Sequence, residues 1–347
     1  MEHWKRTIDK SLTRLEELAH LFHIDIEPLK PVVERYPMRI THYYLSLIQK
    51  PGDPIWLQCV PDPRELEDDN LFVDPLNEDG LTPVPGLIHR YPDRVVLLVS
   101  SVCPTLCRFC MRKSRINLQR ILNSGNSIDA DLKYIERNSA IRDVILSGGD
   151  PLLLSDESLE DILSRLRKIP HLEMIRINTR TPVTLPDRIT LRLCRMLKRN
   201  HPLYVNTHFN HPSEITPQSA EACAKLADAG IPLGNQTVLL RGVNDDPEVM
   251  KKLMQKLLTI RVRPYYIHQT DLVKGTGHFR TPIDQGLKIM AALRGHTSGM
   301  ANPHYVIDLP GGKGKVPILP DDVKRMGETL FLRNYLGEVV EYRDEER

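Results

Sequence analysis

A regular alternation of short apolar runs and amphipathic stretches, which begins near Arg94, most constrains the fold of this chain. The strand-like runs are residues 95–99, 144–146, 175–178, 204–206, 233–239, 262–267 and 305–307. The helix-like stretches between them are residues 130–137, 158–168, 189–198, 217–229, 247–258 and 285–294. Strand, helix and strand repeated about every 30 residues predict an α/β fold with a parallel sheet. Short runs alone do not distinguish a barrel from an open, doubly wound sheet.

The residues on either side of this repeat have different patterns. Leu12, Leu15, Leu18 and Phe22 recur at helical spacing near the start, and a region broken by prolines follows them. Residues 61–85 are rich in Pro, Asp and Asn, as in a loop that wraps a surface. Residues 329–333 and 339–342 are short β-like pieces. We therefore divide the chain into an N-terminal helical wrapping region (residues 1–88), a core (89–310) and a C-terminal segment (311–347).

The composition is that of a soluble globular protein. Of the 347 residues, 41% are hydrophobic and 27% are charged, and the formal net charge is +2. Such a balance gives no strong field to attract nucleic acid or an anionic membrane, so we expect neither partner. Residues 1–10 lack the apolar stretch of a secretory signal, and no window reaches the roughly 18 apolar residues of a spanning helix. We expect a cytoplasmic protein.

Three of the six cysteines lie close together, directly after the first predicted core strand. Cys103, Cys107 and Cys110 form a C-x3-C-x2-C array. An odd-numbered cluster fits a disulfide framework poorly, whereas three thiolates can hold three irons of a cubane cluster and leave the fourth iron open to a small molecule. The alternative is a structural zinc site, which needs four ligands in paired knuckles. The other three cysteines are too scattered to supply a second knuckle, so we predict an iron–sulfur site.

The array, with Phe109 before its last cysteine, resembles the radical S-adenosylmethionine superfamily. The resemblance implies a partial (β/α)6 barrel of the TIM type and a 4Fe–4S cluster on the three cysteines. It also implies that the open iron chelates S-adenosylmethionine, whose reductive cleavage gives a 5′-deoxyadenosyl radical. Gly148, Gly149 and Asp150, at the end of the second core strand, resemble the superfamily's glycine-rich turn, in which backbone approaches the methionine amino group. Alone, Gly-Gly-Asp is typical of an ordinary turn.

A closer resemblance covers roughly residues 85–320. The matching runs are His89-Arg-Tyr-Pro-Asp-Arg, Ser147-Gly-Gly-Asp, Arg180-Thr-Pro-Val, Asn206-Thr-His-Phe-Asn-His-Pro, Pro232-Leu-Gly-Asn-Gln, Leu240-Arg-Gly-Val-Asn-Asp, Arg263-Pro-Tyr-Tyr, His278-Phe-Arg-Thr-Pro and Leu293-Arg-Gly-His-Thr-Ser-Gly. In order and spacing they resemble the lysine 2,3-aminomutase family. This resemblance implies an isomerase with a second cofactor, pyridoxal 5′-phosphate, bound to a lysine as a Schiff base.

The family's glycine-rich lysine motif is present as Asp308-Leu-Pro-Gly-Gly-Lys-Gly-Lys. Lys315, its last residue, matches the lysine that binds pyridoxal phosphate and is the predicted catalytic residue, so the C-terminal segment carries it. Lys313 stands where the family has glycine, and this second lysine competes for the assignment. A lysine in a partly desolvated loop can act as a nucleophile. Without the resemblance, the motif would be interpreted as a surface turn.

The resemblance assigns further residues to the cofactors and the substrate. Arg90 and Arg94 match arginines near pyridoxal phosphate, where a phosphate needs paired cationic donors. His208 and Gln236 match positions beside S-adenosylmethionine, and Arg112 matches the residue that pairs with the substrate carboxylate. Without the resemblance, Arg90 and Arg94 would be interpreted as solvated charges at a strand edge.

Two aspartates bear on the substrate. Asp271 and Asp308 match the pair that binds the ε-ammonium of lysine in the family. A buried ammonium needs compensating negative charge, so two carboxylates favour a cationic side chain over a neutral or acidic one. A glutamate mutase would need a cationic or amide group there, whereas arginine, which is also cationic, stays open. The alternative for each aspartate is a loop residue that caps a helix.

Two further positions depart from the family. Asp246 stands where the clostridial-type enzymes have a zinc-binding cysteine, and the C-terminal cysteine cluster of that site is also missing, so we expect no zinc. His268 stands where the lysine enzymes typically have a tyrosine near the pyridoxal ring. Because the zinc site ties subunits together in the clostridial-type enzymes, their oligomeric state does not carry over to this chain. A homo-oligomer stays open.

The predicted function is conversion of a free amino acid, L-lysine, to β-lysine, with electrons from a donor such as flavodoxin or ferredoxin. One alternative is the same amino shift on free arginine or on a lysine of a translation elongation factor, on which short relatives in the family act. Another is a non-catalytic iron–sulfur protein for electron transfer or sensing, against which the intact lysine motif argues.

Overall fold

The N-terminal region contains several short helices in the computed structural model, which describes residues 3–67, 70–114, 128–320, 322–326 and 329–343. They are α1 (His3–Asp9), α2 (Leu15–Phe22), α3 (Lys30–Arg35), α4 (His42–Leu45) and α5 (Pro54–Cys59). The apolar residues predicted at helical spacing explain α2, which buries Leu15 and Leu18. Asp53 begins α5 by accepting the N–H groups of Ile55 and Trp56, and Pro54 follows it at the first helical position.

A nine-stranded sheet follows, with its strands in the order of the sequence. They are β1 (Leu87–Tyr91), β2 (Arg94–Ser100), β3 (Asp143–Gly148), β4 (Met174–Asn178), β5 (Leu203–Thr207), β6 (Leu233–Leu239), β7 (Arg263–Gln269), β8 (His304–Asp308) and β9 (Lys315–Pro317). Strands β2 to β8 are parallel. Strands β1 and β9 pair antiparallel at the two edges.

Helices connect the parallel strands and give six strand–helix units followed by a seventh strand. They are α6 (Asp129–Arg137), α7 (Asp156–Arg167), α8 (Thr181–Thr184), α9 (Leu191–Lys198), α10 (Pro217–Asp228), α11 (Pro247–Thr259) and α12 (Ile283–Leu293). The predicted α/β partial barrel is therefore confirmed. Asp246, which stands at the family's zinc-cysteine position, has a structural role here because its carboxylate caps α11 by accepting two backbone N–H groups.

Strand periodicity separates the hydrophobic core from the inside of the barrel. On β3, Val144 and Leu146 are fully buried against the helices, whereas the alternate residues Asp143, Ile145 and Ser147 line an internal cavity. Side chains alternate between the faces of a strand, so the same strands build an apolar outer layer and a polar interior. The apolar runs that predicted these strands thus also determine which residues face the cavity.

The sheet curls until its two edges meet through side chains. The backbone N–H of Lys315 on β9 donates to the hydroxyl of Tyr91 on β1 at 2.9 Å, and Arg90 on β1 pairs with Asp308 on β8 at 3.0 Å. The sheet extends past both predicted limits of the core, because β1 begins at Leu87 and β9 lies beyond residue 310. These contacts bring the predicted C-terminal lysine back to the first strand.

A separate antiparallel sheet of β10 (Val323–Met326), β11 (Thr329–Arg333) and β12 (Val339–Arg343) ends the described chain. Its second and third strands match the two β-like pieces predicted for the tail. Among the residues described, no helix has the length and apolar character to cross a membrane.

Candidate functional site

A cavity of about 950 Å³ lies inside the curled sheet. It is at the upper end of the range for small-molecule sites, which favours more than one bound molecule. The structure brings every predicted site residue to its wall. These are Arg90, Arg94, Cys103, Cys107, Cys110, Arg112, Gly148, Gly149, Asp150, His208, Gln236, Asp271, Asp308 and Lys315.

The three clustered cysteines lie on a loop after β2 that is held from the N-terminal side. Backbone bonds of 2.9 Å join Leu106 N–H to the carbonyl of Arg39 and Arg108 N–H to the carbonyl of Gln58. All three thiols are free and partly buried. Burial raises the pKa of Cys110 to about 11 and raises that of Cys103 well above its ordinary value. A metal must therefore displace protons from these thiols when it binds.

Three thiols in this arrangement suit a cubane better than a single ion. Within the described ranges, no three Cys, His, Asp or Glu side chains are grouped as ligands of one metal ion. In a 4Fe–4S cubane each thiolate binds a different iron, so the sulfur atoms do not converge on one point. The donor set on this loop fits a cluster with three protein ligands and one open iron.

Gly148 and Gly149 pack against the backbone of the cysteine loop. A Cβ on Gly148 would lie 2.2 Å from the carbonyl oxygen of Ser100, and one on Gly149 would lie 2.5 Å from that of Val102. Gly148 also has a φ of +123°, which favours glycine. Because glycine has no Cβ, the turn after β3 can pack directly against the cysteine loop. The sequence analysis did not predict this role of the two glycines.

The carboxylate of Asp150 is engaged by the protein itself. It accepts hydrogen bonds from the backbone N–H of Leu152 at 3.1 Å, the hydroxyl of Thr179 at 2.7 Å and the backbone N–H of Arg180 at 2.8 Å. These bonds tie the turn after β3 to the turn after β4. Asp150 lines the cavity, but its side chain holds the scaffold together.

Asp308 and Lys315 face each other across β8 and β9. The ammonium of Lys315 donates to Asp308 Oδ2 at 2.5 Å, Arg90 donates to Asp308 Oδ1 at 3.0 Å, and His268 Nδ1 lies 3.3 Å from Lys315 Nζ. Burial acts to raise the pKa of Asp308, but its contacts with His268 and Lys315 outweigh burial and hold that pKa well below its ordinary value. Lys315, the predicted nucleophile, and Arg90, the predicted phosphate ligand, are thus joined through Asp308, which is predicted to bind the substrate ammonium.

The structure distinguishes the two lysines of the glycine-rich motif. Lys315 reaches the cavity, whereas Lys313 is exposed on the turn before it. Gly312 and Gly314, on either side of Lys313, have φ values of +73° and +96°, so the chain reverses there and places only the later lysine inside. The position of Lys315 supports its assignment over Lys313.

Asp271 follows β7 and faces the cavity beside Asp308. Burial and the charge of Asp308 raise its pKa to about 7, against the opposing effect of Lys315 and Arg90. In the described part of the chain, no group donates a hydrogen bond to this carboxyl. A partly buried carboxyl without a hydrogen-bond donor is a favourable place for a cation.

Arg112 enters the cavity from the cysteine loop with its orientation fixed by two partners. Its guanidinium forms a two-point ion pair with Glu78, at 2.9 and 2.7 Å, and lies 3.2 Å from the hydroxyl of Ser147. Two-point pairing fixes the plane of the guanidinium. Arg112 therefore presents a charged, oriented donor to the cavity.

The remaining predicted residues lie elsewhere on the wall. The guanidinium carbon of Arg94 lies 4.0 Å from the centre of the Tyr91 ring, which holds it over the aromatic face. His208 follows β5, and burial lowers its pKa to about 3, so its imidazole is neutral. Gln236 lines the cavity from β6.

Two polar side chains that hold site residues were missed by the sequence analysis. Glu78 lies in the segment interpreted as a surface loop, and Arg180, in the run Arg180-Thr-Pro-Val, was given no role. Arg180 Nη1 donates to Cys107 Sγ at 2.8 Å. The partners of Glu78 and Arg180 are 34 and 73 positions away, so local spacing carries no signal of either contact. The matched run was the one indication that Arg180 mattered.

Residues 97–254 match the Radical SAM superfamily, in agreement with the barrel and the cysteine loop at the carboxyl end of β2. The chain is therefore a radical S-adenosylmethionine enzyme. Residues 290–347, which include Lys315, match the family described as Lysine-2,3-aminomutase.

Relatives that match nearly the whole chain place it within that family. It is 51% identical to the L-lysine 2,3-aminomutase of Methanococcus maripaludis, over 98% of this chain and 81% of that protein. It is 48% identical to the L-lysine 2,3-aminomutase of Fusobacterium nucleatum, over 99% and 82%. It is also 46% identical to a Glutamate 2,3-aminomutase of Clostridioides difficile, over 99% and 82%. The chain belongs to the lysine 2,3-aminomutase family, isomerases that use a 4Fe–4S cluster, S-adenosylmethionine and pyridoxal phosphate.

Proposed function

We propose that this chain is a 2,3-aminomutase of free L-lysine and that Asp271 and Asp308 bind the side-chain ammonium of the substrate. The observation that carries the proposal is Asp271. It is a partly buried carboxyl that faces the cavity beside a second carboxylate and has no hydrogen-bonded partner among the described residues. The names of the relatives divide between lysine and glutamate at nearly equal identity, so the cavity residues carry this choice.

The charges around the cavity favour a cationic substrate side chain. Glu78 pairs with Arg112, and Asp308 pairs with Arg90 and Lys315. Asp271 is left without an ion pair in the described residues. An ammonium that binds beside it would therefore gain the negative counter-charge that a cation needs when it leaves water. A glutamate side chain would instead place a third carboxylate beside two others and be repelled.

The residues of the cavity have separate tasks under this proposal. When bound, the cluster with S-adenosylmethionine supplies a carbon-centred radical, and pyridoxal phosphate supplies a ring that spreads an unpaired electron. Cys103, Cys107 and Cys110 hold the irons. His208 and Gln236 line the side of S-adenosylmethionine, where a neutral imidazole accepts or donates one hydrogen bond without adding charge.

Lys315 attaches pyridoxal phosphate, and Arg90 and Arg94 bind its phosphate. Asp308 engages one nitrogen of Arg90 and leaves the others to reach an anion. Arg112, oriented by Glu78, binds the substrate carboxylate. The two charged ends of a lysine are thus held at separate places, Arg112 at one end and Asp271 with Asp308 at the other, which orients the carbons between them.

The proposal includes a one-electron donor of the flavodoxin or ferredoxin class, which acts before each cleavage of S-adenosylmethionine. The cysteines of the cysteine loop and those outside it are free, which favours a reducing compartment, so we place the enzyme in the cytoplasm. We also propose the three-part division of the chain at residues 88/89 and 310/311, with β1 and β9 completing the sheet of the core.

A second candidate substrate follows from the same observation. Arginine carries a permanent cation that Asp271 and Asp308 would also attract. A lysine held in a protein presents the same ammonium, but its carboxylate is in a peptide bond and has no charge for Arg112. The two-point fixation of Arg112 therefore favours a free amino acid.

The test is product analysis with anaerobically reconstituted enzyme, S-adenosylmethionine, pyridoxal phosphate and a reductant. L-Lysine, L-arginine and L-glutamate are supplied separately, and β-amino acids are resolved by chromatography with mass detection. We expect β-lysine as the product. Lys315→Ala removes the cavity lysine and should abolish it, whereas Lys313→Ala removes the exposed lysine and should keep product formation within about twofold of the unchanged enzyme.

Other outcomes would contradict parts of the proposal. β-Glutamate or β-arginine without β-lysine would refute lysine as the substrate. Cleavage of S-adenosylmethionine with no product from any of the three would favour a protein-bound lysine. Loss of product in Lys313→Ala but not in Lys315→Ala would reverse the assignment of the two lysines.

A further inference from the structure

Arg180 joins the cysteine loop to the centre of the barrel. It follows β4, and its Nη1 donates to Cys107 Sγ at 2.8 Å. Its side chain is only 9% exposed. Among the described residues, neither Cys103 nor Cys110 receives a hydrogen bond on sulfur from a charged side chain. The contact therefore makes Cys107 electrostatically different from the other two cysteines of the loop.

The guanidinium of Arg180 is fixed on its other side by a buried network. Its Nη2 donates to Glu214 at 2.6 Å, Gln58 at 2.7 Å and Tyr44 at 2.9 Å, and its Nε donates to the carbonyl of His208 at 3.2 Å. Arginine is not deprotonated in proteins, and the carboxylate of Glu214 is a direct counter-charge to its guanidinium. Arg180 stays charged and cannot swing away from the sulfur.

The negative charge of Glu214 offsets Arg180 only in part. Glu214 contacts Nη2, whereas Cys107 contacts the other terminal nitrogen, Nη1. The carboxylate also accepts hydrogen bonds from Tyr44 Oη at 2.6 Å and from the backbone N–H groups of Asn210 at 2.5 Å and His211 at 2.9 Å. These donors share the charge of Glu214, whereas the guanidinium of Arg180 is the charged group that contacts the sulfur of Cys107.

We propose that Arg180 is a positioning residue of the electron-transfer step, which raises the reduction potential of the iron–sulfur cluster through its contact with Cys107. In that step one electron passes from a reduced flavodoxin- or ferredoxin-class donor to the cluster, and no bond is made or broken. The reduced cluster carries one more negative charge than the oxidised cluster. A fixed cation and an N–H donor on a ligand sulfur therefore stabilise the reduced form more. The inference depends on Cys107 as an iron ligand and not on the substrate.

The experiment is an anaerobic redox titration of reconstituted enzyme, followed by the electron paramagnetic resonance signal of the reduced cluster, with no S-adenosylmethionine, pyridoxal phosphate or substrate present. Arg180→Gln removes the cation and should shift the midpoint to lower potential. Glu214→Gln removes the offsetting carboxylate and should shift it to higher potential. Tyr44→Phe, the matched control, removes two hydrogen bonds of the same network, one from Arg180 and one to Glu214, without changing charge and should leave the midpoint at the wild-type value.

Iron content per chain is measured first, so that only variants with a complete cluster are compared. An Arg180→Gln midpoint equal to that of the wild type would overturn the proposal, and so would equal shifts in Arg180→Gln and Tyr44→Phe. If Arg180→Gln does not assemble a cluster, the direction of the Glu214→Gln shift decides, and an unchanged or lower midpoint refutes the inference. Because no substrate is present, these results are independent of the β-lysine assay.

Discussion

At the scale of single residues, the proposed binding of a substrate ammonium by Asp271 depends on the protonation of its carboxyl. Its pKa of about 7 is raised from the ordinary value of 3.8 by burial and by Asp308. Below about pH 7 the carboxyl is neutral and attracts no ammonium. The ammonium of lysine stays charged over this range, so the change in affinity belongs to Asp271.

We therefore expect the KM for L-lysine to rise as the pH falls through 7, by about tenfold for each pH unit below the pKa. Asp271→Asn should have a high KM at every pH from 6 to 8 and lose this dependence. The matched control is Asp161→Asn, which changes a carboxylate that is 61% exposed on α7 and should follow the wild-type profile. A wild-type KM that does not change between pH 6 and 8 would show that Asp271 does not titrate against the substrate.

At the scale of elements, the turn after β3 determines whether the cysteine loop can take its shape. Gly149 lies so close to this loop that an added Cβ would be 2.5 Å from the carbonyl oxygen of Val102 and 2.6 Å from its nitrogen. Backbone bonds of 2.6 and 2.7 Å, from Gly149 to Ser100 and from Asp150 to Val102, fix the same contact. Backbone on both sides leaves no flexible side chain to move aside.

Gly149→Ala should therefore lower the free energy of unfolding by about 1–3 kcal/mol and reduce the iron bound per chain after reconstitution. Thermal unfolding and iron analysis of the purified variant measure the two effects. Gly299→Ala is the control, since a Cβ there has no atom within 4 Å. Normal iron content in Gly149→Ala would mean that the turn and the loop can separate without loss of the site.

The same scale shows which elements a sequence can reveal. The seven parallel strands were predicted because strands covered by helices carry continuous apolar runs. Strands β1 and β9 were missed, since β1 has only two aliphatic residues before His89 and β9 has three residues that end in Pro317. Edge strands need fewer apolar residues and tolerate proline, so their patterns resemble loops.

The residues of the candidate site also differ in how far the sequence reveals them. Cys103, Cys107 and Cys110 stand out in the sequence because their spacing is local. Lys315 was assigned through the resemblance of its glycine-rich motif to that of the family, since the motif alone is typical of a surface turn. Glu78 was not predicted, because its contact with Arg112 exists only when a segment rich in turn residues folds back on the cysteine loop. Contacts between distant segments depend on the tertiary fold, and a single sequence gives no periodicity from which to infer them.

At the scale of the whole molecule, one buried carboxylate connects the N-terminal region to the barrel. Glu65 is 1% exposed, and it accepts from Arg108 Nε at 2.8 Å and lies 2.6 Å from Lys113 Nζ. Arg108 in turn donates to the backbone carbonyls of Tyr36 and Pro37. The cysteine loop, which contains Arg108, is thus clamped between the barrel and the wrapping region through Glu65.

Removal of Glu65 leaves two cations buried without their counter-charge. Glu65→Ala should therefore lower the free energy of unfolding by about 3–5 kcal/mol, measured by urea denaturation of the enzyme. Glu173→Ala, which breaks an exposed pair with Arg142, should leave the urea midpoint nearly unchanged. If Glu65→Ala unfolds no earlier than Glu173→Ala, the N-terminal region is held by its apolar contacts alone. A large destabilisation confined to Glu65→Ala would mean that the ion pairs of Glu65 couple the folding of residues 3–67 to that of the cysteine loop.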